Sequence, residues 1–444
     1  MISVGAETVV LGVFSQIIIL LCFNFWVYAT KGNTLWPFPS ISDTWAIKPT
    51  SFLARYFGSV AALQFLLLVI MIYYSIKNSK FRNPNVSVIV PPVVCLAFGV
   101  IAVFFFSLVP AICDNDIAAN CRGNPSLHGT IAAIFFTALN LLIIFLYADY
   151  FDYNNESNKV VCVSALTAGA TFTIINKILH FLGDAKNIFE WLDVFAVLSM
   201  MLVFVYYNNP INIKVNFGLV SELPSNVYFY VLPSVLATTA CVFFVLNLIF
   251  TFSANYLQGR VDLNNSWPSI ESLQVYPPSN WSTHWVYNMM APFISIGQIV
   301  ISLTWAAECK TPANSLLNAM LGSASTVAMI CLAWSGETTY SYLHKASSNT
   351  FFIAYDIYMA IVIVWGFEVT DPKGFWSLVQ KILKIIISSG LLTLVRFTSI
   401  NVGLSFEVLE WINYVCIFAF VCVLLYETAP KVNNYVIAIS GSAH

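Results

Sequence analysis

Charge is what this chain has least of. Asp, Glu, Lys and Arg together make up 9% of its 444 residues, and the formal net charge is −2. A soluble domain carries about 25% charged residues, so a water-covered globule is excluded. No run of Lys or Arg marks a nucleic-acid surface, and none is expected as a partner. No Gly-rich turn is set to cradle a nucleotide phosphate. The 10 cysteines are scattered, with no Cys/His spacing suited to zinc. Neither a cofactor nor a metal is therefore expected. No low-complexity tract or extended soluble domain interrupts the chain.

Apolar sequence fills the space that charge leaves. Apolar residues reach 59% and mean hydropathy is +0.79. Crossing the hydrocarbon core takes about 20 residues of helix, and runs of that length recur over 7–29, 53–76, 88–110, 127–148, 160–181, 188–207, 228–253, 284–306, 313–335, 347–367, 377–398 and 406–427. Each is expected to be a helix, because in lipid a helix satisfies its own backbone groups. A transmembrane barrel would instead show segments of about 10 alternating residues. The expected class is thus an all-α polytopic membrane protein of twelve spans. The first run lacks a basic flank and carries Glu7, so it reads as a span and not as a cleavable signal.

Lys77, Lys80 and Arg82 cluster between the second and third spans, which places that loop, and by parity both termini, in the cytosol. Asn264 and Asn280 then open lumenal sequons and are candidate glycan sites, whereas Asn85 and Asn155 face the cytosol. Cys113 and Cys121 share one lumenal loop, where a disulfide is plausible.

The chain also repeats itself. Pro39-Ser40-Ile41, with Pro49 beyond it, returns as Pro268-Ser269-Ile270 with Pro278 at the same spacing. His128 precedes Phe135-Phe136, and His344 precedes Phe351-Phe352 at the same distance. Glu190-Trp191 and Glu410-Trp411 follow in the same order. Two parallel six-helix repeats are the simplest account: residues 1–208, a linker at 209–226, a diverged second unit at 227–430 and a cytosolic tail at 431–444. The copies differ at one point, where Ser42-Asp43 becomes Glu271-Ser272.

Trp36-Pro37-Phe38-Pro39-Ser40-Ile41-Ser42-Asp43-Thr44, with Pro49, resembles the signature loop of the damage-regulated autophagy modulator (DRAM)-like superfamily. The likeness is nearest to its members that remodel the lipid of glycosylphosphatidylinositol (GPI) anchors, and it covers 1–208 with 225–430 as a diverged copy. The resemblance implies a six-span unit whose polar groups gather at lumenal helix ends. It implies acyl or ceramide exchange on GPI anchors in the endoplasmic reticulum or Golgi, or a substrate-recognition subunit for that reaction. Membrane lipids and GPI-anchored proteins are the implied partners. The longer remodelling proteins also carry a soluble phosphatase-like domain, which is not found here, so a separate soluble catalytic subunit is a further candidate partner. A non-catalytic, lipid-organising or autophagy-modulating scaffold, of the lysosome or plasma membrane, is the alternative. A lipid or small-molecule transporter is the third.

The residue types point to roles. His128 is a candidate general base, because His titrates near neutral pH, and Glu190 is its candidate orienter; helix entry and first-turn capping are the plainer roles. Asp43 and Ser42 are candidate headgroup contacts, or turn residues bonding nearby backbone. Arg55, Lys177, His180 and Arg396 are candidates for a lipid phosphate, or snorkel to the interface. His344 and Glu410 are the second-half counterparts. Asp193 stands one turn beyond Glu190. Asp356 and Asn140 are expected to make buried polar contacts within their spans.

Overall fold

The computed structural model describes residues 2–33, 39–45, 47, 49–78, 90–112, 124–151, 186–207, 212–262, 267–274, 276, 278–286, 312–334, 341–369 and 432–442, with isolated helical positions across 160–171, at 289 and across 407–418. The chain divides into two compact units, one of Met1–Tyr230 with Ile437–His444 and the other of Val231–Val436.

In the first unit, helices α1 (Ala6–Thr30), α3 (Thr50–Asn78), α4 (Pro92–Leu108), α5 (Pro125–Asp149) and α6 (Lys186–Tyr207) form a bundle, with the short α2 (Ile41–Trp45) on its rim. The second unit holds α7 (Pro233–Leu257), the short α8 (Ile270–Leu273), α9 (Pro312–Trp334) and α10 (Ser341–Val369). Among the described residues, six helices are long and apolar enough to cross a membrane: those at 6–30, 53–78, 92–111, 125–149, 190–207 and 233–257. A helical, multi-pass membrane protein is what these lengths require.

Burial in the first unit follows the logic of lipid and not of water. Large apolar side chains such as Ile19, Trp26, Val100 and Ile144 face outward, while Ser59, Ser107, His128 and Asp193 lie inside. Lipid tails accept the former at no cost, and polar groups must find partners within the bundle. α3 is the central helix, with over half of its apolar window buried. It packs on α1 and α4, and α4 packs on α5. At the α3/α4 crossing, a Cβ added to Gly99 would stand 2.3 Å from Val69 Cγ1, so only glycine permits this approach.

Helices α1 and α7 end alike. Each runs 25 residues and stops two residues before a glycine of positive φ, Gly32 at 76° and Gly259 at 65°. That conformation is open to glycine and strained for other residues, and it turns the chain sharply out of the helix.

One departure from an all-helical class is a four-stranded sheet. Strands β1 (Ile2–Gly5), β2 (Asn212–Leu219), β3 (Val227–Val231) and β4 (Tyr435–Ser442) order as β1-β2-β4-β3. β1 runs antiparallel to β2, with Ile2 opposite Phe217 and Gly5 opposite Lys214. The stretches read as linker and tail therefore supply strands. Ile213 and Ile439 enter the same apolar core as Ile72 and Ile76 of α3, Tyr74 stacks on Tyr228 at 5.8 Å, and Asn216 Nδ2 donates to Ser440 Oγ at 2.6 Å. The sheet closes the end of the unit where α1 begins and α3 stops. The opposite end carries the polar residues Ser42 and His128.

Candidate functional site

The site is built on α2, and α2 is held in place by its own short-range chemistry. Ser40 Oγ accepts from the Asp43 N–H, and Asp43 Oδ2 accepts from the Ser40 N–H, both at 3.0 Å. This reciprocal pair is a capping box. Asp43 thus stabilises the turn, as its turn-type sequence suggested. Thr44 Oγ1 donates to Ile41 O at 2.7 Å, and Thr50 Oγ1 donates to Thr44 O at 2.6 Å, which ties α2 to the start of α3. From the other side the Trp191 indole N–H donates to Pro39 O at 3.1 Å. Ile41, Leu21 and Trp191 then pack as a small apolar cluster that includes Trp45 and Phe25 at its margin.

This anchoring sets Ser42 against α5. Ser42 Oγ lies 2.8 Å from His128 Nε2. His128 sits in the first turn of α5, after the cap Asn124, whose side chain accepts from Leu127 N at 3.0 Å. Its Nδ1 lies 2.6 Å from Ile112 O. A carbonyl can only accept, so Nδ1 carries the proton. In the neutral ring Nε2 then presents its lone pair, and the Ser42 hydroxyl donates to it. Ile112 is itself fixed, because it follows a 3-10 turn (Val109–Ala111) whose Pro110 carbonyl accepts from Arg55 Nε at 3.3 Å.

The pair opens on an apolar cavity inside the first unit. Its volume, counted as space open to the centre of a water molecule, is about 100 Å³. Ser42, His128 and Glu190 lie among its walls at one end, and the rest is apolar, including Phe65, Leu68, Phe135, Leu139 and Met201. On α5 the lining runs from His128 to Leu139, about 16 Å at 1.5 Å per residue. An apolar cavity with a few polar groups at one end has the composition of a site for an apolar chain with a polar attachment. Trp45 lines the same cavity, and its indole N–H is buried with no acceptor among the described residues.

The structure redistributes the expected roles. His128 and Ser42 meet, and Glu190 joins them at the cavity. Both nitrogens of the His128 ring are engaged, by Ser42 and by Ile112, so a backbone carbonyl orients the ring where the Glu190 carboxylate was anticipated. Arg55 is buried and bonds Pro110 O; it braces the turn that carries Ile112 and does not wait at the surface for a phosphate. Asp193 is fully buried beneath Glu190. Ile112 could not be found from sequence, because any residue supplies a carbonyl. Trp45 left a trace as a large apolar residue in a polar loop.

In the second unit, Trp411 Nε1 donates to Pro268 O at 2.9 Å, the same bond that Trp191 makes to Pro39. Ser272 N donates to Ser269 Oγ at 3.0 Å, matching Asp43 and Ser40. Glu410 is buried, and its Oε2 accepts from Ile270 N at 3.3 Å. His344 is buried in the first turns of α10. Asn280 has no exposed surface, which leaves no room for a glycan in the folded unit. Cys113, Cys121, Lys177, His180, Asn264 and Arg396, and the side chain of Asp356, lie outside the described residues. Among the described residues no group of His, Cys, Asp and Glu has the arrangement of a metal site. No protein-family model, curated protein or solved structure matches this chain, so geometry alone carries the functional reading.

Proposed function

We propose that this protein remodels the lipid of GPI anchors by acyl or ceramide exchange, working at the lumenal face of a secretory-pathway membrane. One observation carries the reading: a hydroxyl and an oriented imidazole, Ser42 and His128, line one end of an apolar cavity inside a helical bundle. The cavity takes a hydrocarbon chain. The polar end holds the ester or amide that joins the chain to its polar group, and His128 serves as general base there. Glu190 faces the polar part of the lipid. The repeated Trp-to-Pro bonds fit two six-helix repeats and twelve spans in all, with the first repeat bearing the chemistry and the second supporting it.

The test is the lipid composition of GPI anchors, by mass spectrometry, in cells lacking the protein. Anchors that keep an unremodelled lipid, restored by wild-type chain and not by His128→Gln, are expected. Normal anchor lipids in the null would refute the assignment.

A further inference from the structure

We propose that Ser42 is the nucleophile and carries the acyl group covalently between donor and acceptor. This rests on the acyl-lipid reading of the cavity and adds a chemical step to it. Geometry limits which proton His128 can reach. Its Nδ1 is held by Ile112 O, and its Nε2 is met by Ser42 Oγ at 2.8 Å. No water or acceptor alcohol can lie between base and serine at that distance. The first proton His128 removes is therefore the one on Ser42. A hydroxyl paired with a base that is itself oriented by a third group is the arrangement of an activated nucleophile.

The second observation is independent. Trp45 stands three residues beyond Ser42 on α2, so the two share a helix face. Its indole N–H is buried in the cavity wall without an acceptor among the described residues. An unpaired buried donor costs free energy unless a ligand meets it. The carbonyl oxygen of a bound ester is such a ligand, and its negative charge grows as the serine attacks.

The step balances without any further reagent. Ser42 Oγ attacks the ester carbonyl carbon and passes its proton to His128 Nε2. The ester C–O bond breaks, and the departing lysolipid alkoxide takes that proton from His128. An acyl–Ser42 ester and a lysolipid alcohol result. An incoming lysolipid alcohol, or water, then loses its proton to His128 and attacks the acyl–Ser42 carbonyl. Ser42 leaves, regaining the proton.

The test uses the full-length chain in nanodiscs, with hexadecyl fluorophosphonate as the probe and peptide mass mapping as the readout. The probe should phosphonylate Ser42 with loss of fluoride. Labelling should vanish in Ser42→Ala, slow at least about 100-fold in His128→Gln, and slow by about 100-fold in Trp45→Phe. Ser272→Ala, in the second unit, should label as wild type. Ser42→Cys keeps the small side chain and should accumulate a hydroxylamine-sensitive thioester from p-nitrophenyl palmitate, which guards against misfolding of the alanine variant. Folded wild type that is unlabelled at Ser42, with no thioester on Ser42→Cys, would overturn the proposal. Cellular lipids separate it from the function on which it rests. Labelled Ser42 in a protein whose loss leaves anchor lipids normal keeps the nucleophile and removes the anchor as substrate. Altered anchor lipids that Ser42→Ala restores in full keep the substrate and remove the nucleophile.

Discussion

The two units hold the same turn in the same way and put different residues on it. In each, a 25-residue helix ends at a glycine of positive φ, a Pro-Ser-Ile turn follows, and a tryptophan indole bonds the proline carbonyl. In each, the first serine of the turn accepts from the backbone N–H three residues on. Then they part. The first unit presents Ser42 to His128, whereas the second has Glu271 at that position, and the hydroxyl of its neighbour Ser272 is turned back onto Ser269 O at 2.8 Å. Capping and anchoring are demands of the backbone, so any working copy of the turn must keep them. A hydroxyl aimed at an imidazole is a demand of chemistry, and one copy suffices.

The comparison breaks most directly at the proposed catalytic pair. Ser42→Ala or His128→Gln should lower anchor-lipid exchange by about 10²-fold or more, measured by mass spectrometry of anchor lipids in complemented null cells. Ser269→Ala in the second unit should leave it within a few-fold. Equal losses from the two units would end the claim of a one-sided site.

Packing gives the next largest effect. Gly99→Ala would place a methyl 2.3 Å from Val69 Cγ1, so α3 and α4 must part at a cost of about 1–3 kcal/mol. A lower unfolding midpoint in detergent, partly restored by Val69→Ala, is the expected outcome. An unchanged midpoint would mean that the helices do not approach this closely.

The tryptophan anchors sharpen the comparison further. Trp191→Phe removes a buried hydrogen bond and Trp411→Phe a part-buried one, each worth about 0.5–1.5 kcal/mol, and both should lower stability. Only Trp191→Phe should also slow phosphonylation of Ser42, because only that bond positions the turn that carries Ser42. The capping serines give the most local effect, with Ser40→Ala expected to cost about 0.5–2 kcal/mol at α2 alone. Hydrogen exchange of the α2 amides would report it, and Ser269→Ala should leave those amides untouched.

Much of the bundle was legible because its cause is local. A run such as 125–149 is apolar, long enough and unbroken, and lipid leaves such a run no alternative to a helix. Asn124 and Pro125 even mark where α5 starts, a capping side chain followed by proline at the first helical position. The sheet was not legible. Ile2–Gly5 is too short to show alternation, and β2 and β4 read as a polar linker and tail. Their partners lie about two hundred residues away in the chain, beyond any local pattern. The partner of His128 Nδ1 was not legible for a related reason, since it is Ile112, whose contribution is a carbonyl that every residue possesses.

The sequence by itself determined a helical membrane protein, an order of motifs repeated along the chain, and the residue types able to do chemistry at one end of the first unit. Those properties follow from hydrophobic run length and from side-chain identity, which are written residue by residue. Only the tertiary structure decided that Ser42 meets His128, that Ile112 fixes the proton on the far nitrogen, and that an apolar cavity lies beside them. Those are contacts between α2, the turn after α4 and the start of α5. They arise when helices pack, and no single segment contains the information to predict them.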